Sequence, residues 1–190
     1  VRTVPDARSI VEWIEKGNPF MSGMHRYSGF QTLRPKTRAV VVGGGFIGIE
    51  TAENLVHRGF EVTLLQRGPQ ILLPIDEEMA RPAEAYLCKN GMNIVLNDGA
   101  TGFTKTEDGH LEVQTNSGKN YVADVVILAI GVRPDTTLAK LAGLEIGKRG
   151  GIVVDENMRT SNPSIFAAGD VVEVTDFMTK EQTLVALAGP

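Results

Sequence analysis

The chain has 190 residues, 42% hydrophobic and 22% charged, with a mean hydropathy of −0.04, a length and balance that build a core by burial alone and exclude a disordered or fibrous polypeptide. Nineteen Lys and Arg against 23 Asp and Glu leave a net charge of −4, so no basic field exists to neutralise a phosphate backbone and nucleic acid is not expected as a partner. No apolar run reaches the roughly 18 residues needed to span a bilayer, the single cysteine, Cys88, excludes an internal disulfide and any multi-cysteine metal site, and Val1 to Pro5 carries neither signal-peptide nor transit-peptide character. These features lead us to expect a cytoplasmic protein without a membrane anchor. The 21 glycines exceed average usage and predict many tight turns or close backbone approaches.

In chain order, Asp6 to Lys16 sets Ile10, Val11, Trp13 and Ile14 at helical spacing, with Asp6 or Ser9 as candidate N-caps and Gly17 as a stop. Residues Asn18 to Lys36 lose all periodicity and read as a connector, its Phe20, Tyr27 and Phe30 available for packing. Ala39 to Val42 is a short β-branched strand, followed by glycines and a helix from Ile47 to Arg58 that Gly59 stops. Glu61 to Leu65 predicts a second strand, Glu77 to Asn90 a second helix and Asn93 to Leu96 a third strand. That alternation defines βαβ units and a parallel sheet.

Beyond Gly99 the segments shorten. Thr101–Thr106, Leu111–Thr115 and Tyr121–Ala123, separated by Asp108-Gly109 and Ser117-Gly118, predict an antiparallel meander. Val125 to Ala129 is an unbroken apolar run, as expected of a strand buried on both faces of the parallel sheet. Gly131 to Pro134 ends it, Thr137 to Ala142 predicts a short helix, Gly151–Val154 and Ile165–Ala168 predict strands, and Leu184–Ala188 is apolar. No internal repeat is present.

Gly43, Gly45 and Gly48 form G-x-G-x-x-G between an apolar strand and a helix. In that context the first glycine permits the turn, the second lets a pyrophosphate approach the main chain, and the third allows close helix–strand packing. Free N–H groups of Phe46 and Ile47, with the helix dipole, are placed to hold the phosphates. A carboxylate is expected at the end of the second strand for the ribose hydroxyls of NAD. Gln66 stands there instead, followed by Arg67, a pair that tolerates either nucleotide: the amide does not repel a 2′-phosphate, and the guanidinium can pair with one if it turns inward.

Three segments, V-V-V-G-G-G-F-I-G-I-E-T-A-E-N-L, V-I-L-A-I-G-V-R-P and T-S-N-P-S-I-F-A-A-G-D, together resemble the pyridine nucleotide-disulfide oxidoreductase family in order and spacing. The phrase L-P-I-D-E-E-M-A from Leu73 to Ala80 is similar to its branch of coenzyme A-disulfide reductases, NADH oxidases and NADH peroxidases. The resemblance implies an α/β fold: a Rossmann-like parallel sheet with helices and an antiparallel β-meander (three-layer ββα), plus the returning part of an FAD domain. It implies a lead-in at 1–37, an NAD(P)H-binding domain at 38–134 and a return to the FAD domain at 135–190. By the same resemblance Asp170 contacts the ribityl chain of FAD, Phe46 lies over the flavin and swings aside for nicotinamide, Glu50 borders the nicotinamide and Gly131 marks where the sheet opens beside the cofactor. From the residues alone, Phe46 is a first-turn packing residue, Glu50 an acid favoured near a helix N-terminus and Asp170 a turn cap.

The implied activity is hydride transfer from NAD(P)H to FAD and on to a disulfide, peroxide or oxygen. The alternatives are a nucleotide-binding module without turnover, and a reductase serving ferredoxin, rubredoxin or a nitrite-reducing centre. The family's first glycine motif, its redox cysteine and its dimerisation domain are expected outside these residues, in a parent that pairs as a homodimer, with an apolar face exposed where the FAD domain docks. No catalytic residue is therefore assigned within the chain. Cys88, with no Cys or His near it in sequence, reads as a small core hydrophobe. His25, His57 and His110 lack ligand spacing, so no metal site is expected. Met21, Met24, Met79, Met92, Met158 and Met178 form no stripe, and Asp76, Glu77 and Glu78 open a helix where its dipole favours acids.

Overall fold

A computed structural model describes residues 4–16 and 37–185, which fall into two compact units, Val1–Ile130 and Gly131–Pro190. The connector 18–36 lies outside the described residues, with its aromatic residues, His25, Met21 and Met24.

The first unit begins with α1 (Val4–Lys16). Its start precedes both expected caps: Asp6 lies within the first turn, and the Ser9 hydroxyl donates back to the Pro5 carbonyl at 3.0 Å, a bond within the helix. The fold proper is β1 (Arg38–Val42), α2 (Phe46–His57), β2 (Glu61–Leu65), α3 (Glu77–Lys89), β3 (Met92–Val95), the meander β4 (Ala100–Lys105), β5 (Leu111–Thr115) and β6 (Asn120–Ala123), and β7 (Val125–Leu128). The strands β3-β2-β1-β7 make one parallel sheet, and β4-β5-β6 one antiparallel sheet.

Strand periodicity separates the layers. Alternate residues of β1 face opposite ways: Ala39 and Val41 join Ala52, Leu55, Ala80 and Leu87 of the helices, whereas Val40 and Val42 join Val113 and Ala123 of the meander. Helices, parallel sheet and meander thus stack as three layers on two apolar cores, the ββα arrangement the sequence implies. Asp124, at the β6–β7 junction, ties the layers where β1 starts. Its Oδ2 accepts from the Arg38 backbone N–H at 2.7 Å, its own N–H donates to the Arg38 carbonyl at 2.9 Å, and His110 Nδ1 lies 2.7 Å from its Oδ1.

β7 returns to the parallel sheet beside β1 and packs on both cores, Val125 and Ile127 on the helix side and Val126 on the meander side, but at the end of the sheet these residues are only half-buried and Leu128 is exposed. Cys88 is exposed and not a core residue. The buried face of α3 carries Ala80 and Leu87, and the residue after Leu87 is turned about 100° away. Cys88 lines a surface cavity of about 400 Å³ with Arg81, Glu84 and Leu96.

The second unit holds α4 (Thr137–Leu141), β8 (Ile152–Val153), β9 (Val172–Thr175) and β10 (Gln182–Leu184) in a sheet of order β10-β9-β8. Ile165–Ala168 is not a strand. It makes one bridge, Arg159 to Phe166, because the Thr160 hydroxyl contacts the carbonyls of Asn162 and Ile165 and holds the segment as a turn. β9 and β10 were not expected; of the Leu184–Ala188 stretch, Leu184 closes β10 and 186–188 lie outside the described residues. Glu173 of β9 is only 1% exposed, and its Oε2 accepts from the N–H groups of Arg149 at 3.0 Å and Gly151 at 3.3 Å. A Cβ on Gly147 would sit 2.3 Å from that carboxyl carbon, which explains the glycine in this turn. Leu138, Leu141, Phe177 and Met178 are all exposed.

Candidate functional site

The glycine loop, residues 43–45, joins the C-terminal end of β1 to α2, beyond the edge where ligands of open parallel sheets bind. Gly43 turns the chain at φ +111, and a Cβ there would stand 2.3 Å from the Ala129 carbonyl oxygen. Gly48 lies against the turn, where a Cβ would meet the Gly43 carbonyl oxygen at 1.9 Å. Gly45 is different: it is the N-cap of α2 in extended conformation, supplies no side-chain cap, and its Cβ position is open. The first-turn N–H groups of α2, including Phe46 and Ile47, are thus left for a ligand, and no acid stands in that turn to compete.

Phe46 opens the helix, 46% exposed, with Ile47 60% exposed beside it. Both are therefore presented outward rather than packed, which corrects the packing reading of Phe46. Glu50 is exposed four residues on, on the same helical face as Phe46. It lies beyond the first turn, so a favourable helix-terminus charge does not account for it.

Gln66 follows β2 and is 8% exposed. Its Oε1 accepts from the Gly44 N–H at 3.0 Å, and the Gly44 carbonyl accepts from the Leu72 N–H at 2.8 Å. Ile71, fully buried, lies 3.2 Å from the position of a Gly44 Cβ. The middle glycine therefore latches the loop after β2 onto the glycine loop, with Leu72 held at φ +52, a left-handed conformation that costs a non-glycine residue stability. Reading G-x-G-x-x-G treats Gly44 as filler; the unbroken run of three glycines was the available signal. Arg67 is exposed, its Cβ and Cγ lying 3.4 and 3.3 Å from a Cβ position at Gly99.

Asp98, 4% exposed, braces the same loop: its N–H donates to the Gln66 carbonyl at 3.2 Å. Its carboxylate accepts from the Ser117 hydroxyl at 2.6 Å and from the Ser117 N–H at 3.0 Å. The Ser117 hydroxyl bond holds this carboxyl below its ordinary range, against the opposing effect of burial.

The first unit thus brings together Gly43, Gly45, Phe46, Ile47, Gly48, Glu50, Gln66 and Arg67. The second unit carries Gly131, at φ +108, and Asp170, exposed after Gly169 at φ +89 and two residues before the start of β9. His57 ends α2. Among the described residues no helix is long and apolar enough to cross a membrane.

A parallel sheet whose first strand runs through a glycine turn into an uncapped helix defines a fold of the Rossmann class. Comparison with known proteins makes this specific: the chain belongs to the pyridine nucleotide-disulphide oxidoreductase family, which matches residues 12–188. It is 39% identical to an NADH oxidase of Methanocaldococcus jannaschii over 97% of the chain and 37% of that protein. It is 36% identical to a CoA-dependent NAD(P)H sulfur oxidoreductase of Pyrococcus abyssi, over 98% of the chain and 37% of the relative. Among solved structures, reduced CoADR-RHD of Bacillus anthracis superposes with a TM-score of 0.80 at 39% identity, covering 98% of this chain and 30% of that one. The chain spans about 37% of the length of these curated relatives.

Proposed function

We propose that this chain is the NAD(P)H-binding portion of a flavoprotein oxidoreductase. Residues 38–134 form the nucleotide domain and 135–190 return to an FAD domain completed elsewhere in a homodimeric, cytoplasmic parent. The observation that carries the reading is the glycine turn: Gly43 and Gly48 abut backbone that no Cβ could share, while Gly45, at the uncapped start of α2, faces open space. That combination leaves room and donors for a pyrophosphate.

Phe46 and Glu50 would border the nicotinamide, and Gly131 would let the chain pass close beside the cofactor. Asp170 fits one contact to FAD, since its carboxylate is exposed after an open glycine turn and makes no side-chain hydrogen bond among the described residues. FAD, when bound, accepts the hydride of the reduced nicotinamide and supplies electrons for the acceptor. The names of the relatives, an NADH oxidase and a CoA-dependent sulfur oxidoreductase, support oxygen or a coenzyme A-linked disulfide or sulfur species as that acceptor. The task of this chain is to hold and orient the nucleotide.

Two measurements test the reading. Mixed anaerobically with NADH, the full-length protein should lose its oxidised-flavin absorbance, and Gly45→Ala should slow that loss. The 190-residue chain without flavin should bind NADH and not consume it. Failure to bind, or NADH consumption by the flavin-free chain, overturns the proposal.

A further inference from the structure

The adenosine end of the site offers hydrogen-bond donors where NAD sites offer a carboxylate. An amide side chain has one acceptor end and one donor end. At Gln66 the Gly44 N–H claims the acceptor, Oε1, at 3.0 Å. Turning the amide over would oppose its NH2 to that N–H. Gly44 is held by the Leu72 N–H, which donates to its carbonyl at 2.8 Å, and even a Cβ added there would press on Gln66 and Ile71. The free end is therefore Nε2, which has no protein hydrogen-bond partner among the described residues and keeps access to solvent on an otherwise buried residue.

Gly68 keeps this end uncovered, since a Cβ there would come within 3.0 Å of Nε2. Arg67 adds a guanidinium next to it in the chain, with its stem over Gly99. The carboxylate that braces the loop, Asp98, is engaged by the hydroxyl and N–H of Ser117. A ribose 2′-hydroxyl can accept one neutral hydrogen bond from these donors, whereas a 2′-phosphate presents several acceptors and negative charge and gains charge-assisted bonds.

Resting on the nucleotide-binding reading above, we propose that this end of the site takes a 2′-phosphorylated adenosine, so that NADPH is the preferred nucleotide, with Gln66 Nε2 and Arg67 as its contacts. Gln66 is then a specificity-determining residue whose orientation Gly44 sets.

The test is calorimetric titration of the full-length oxidised protein with adenosine 2′,5′-bisphosphate and with adenosine 5′-monophosphate, which differ only in the 2′-phosphate. The bisphosphate should bind at least about 10-fold more tightly, the scale of one charge-assisted hydrogen bond. Gln66→Glu keeps an acceptor for Gly44 but places a negative charge at the phosphate, and should abolish or reverse the preference. Arg67→Ala, an exposed change, should weaken the bisphosphate about 10-fold and leave the monophosphate within about twofold. NADP+ against NAD+ should repeat the order. Monophosphate binding with no gain from the 2′-phosphate overturns this proposal alone, and binding of neither compound overturns it together with the glycine-loop reading.

Discussion

Gly43 and Gly45 stand two residues apart in one loop, and the structure assigns them opposite sensitivities. Gly43→Ala forces a Cβ onto a backbone at φ +111 and within 2.3 Å of the Ala129 carbonyl oxygen. That residue cannot easily retreat, because the Ala129 N–H donates to the Val42 carbonyl at 2.8 Å. The backbone conformation costs about 1–3 kcal/mol and the overpacking about as much again. At about 2–4 °C per kcal/mol for a chain of this size, Tm should fall by roughly 5–20 °C. Gly45→Ala meets no atom within 4 Å and keeps φ at −81, so it costs at most about 1 kcal/mol as a poorer N-cap. Its Cβ would occupy the space assigned to the pyrophosphate and remove one or two charge-assisted bonds, weakening NADH about 10- to 100-fold. Thermal melts followed by circular dichroism, together with calorimetric titration of NADH, separate the two effects. A Gly43→Ala protein that melts with the wild type refutes the packing argument, and a Gly45→Ala protein that binds NADH undiminished refutes the assignment of the loop to the pyrophosphate.

Asp98→Asn should lower stability at neutral pH. The folded carboxyl lies below its unfolded value, so its contribution is present above the ordinary carboxylate range and lost as pH falls through the depressed folded value. The Tm gap between variant and wild type should therefore narrow in acid, and a gap that widens there refutes the Ser117 pairing. Leu64 of β2, fully buried in the core between the parallel sheet and the helices, should cost about 2–5 kcal/mol when cut to alanine. Exposed Leu138 should cost within about 0.5 kcal/mol in the same melts, and equal losses at the two positions would refute the assignment of the core.

Legibility in this chain followed how locally each feature is encoded. The nucleotide half was open to reading because β-branched runs, glycine stops and helical spacing all agree there: β2 was placed to the residue, and α3 was read correctly across Pro82, whose cost to the helix is offset by buried Ala80 and Leu87. In the second unit β8 falls within the expected Gly151–Val154, but β9 and β10 were not legible. V-E-V-T alternates over only four residues, a pattern that would turn its glutamate outward, and Q-T-L is shorter and more polar still; the burial of Glu173 depends on N–H groups more than twenty residues earlier in the chain. Cys88 failed for a related reason, since a cysteine beside Leu87 has no sequence mark of the helical phase that turns it outward.

At the candidate site the limit is sharper. The glycine spacing announces a turn and a helix start, and the change from acid to Gln66 is visible in the sequence, but the consequence of that change is not. Whether an amide at this position offers its oxygen or its nitrogen to a nucleotide is settled by Gly44, a residue the motif counts as arbitrary, and by Leu72, which belongs to another loop. If the site takes a 2′-phosphate as proposed, nucleotide preference is a property of the latch between two loops rather than of any single position. On that argument, a substitution at Gly44 large enough to displace Gln66 should change which nucleotide is preferred while the glycines of the motif stay intact.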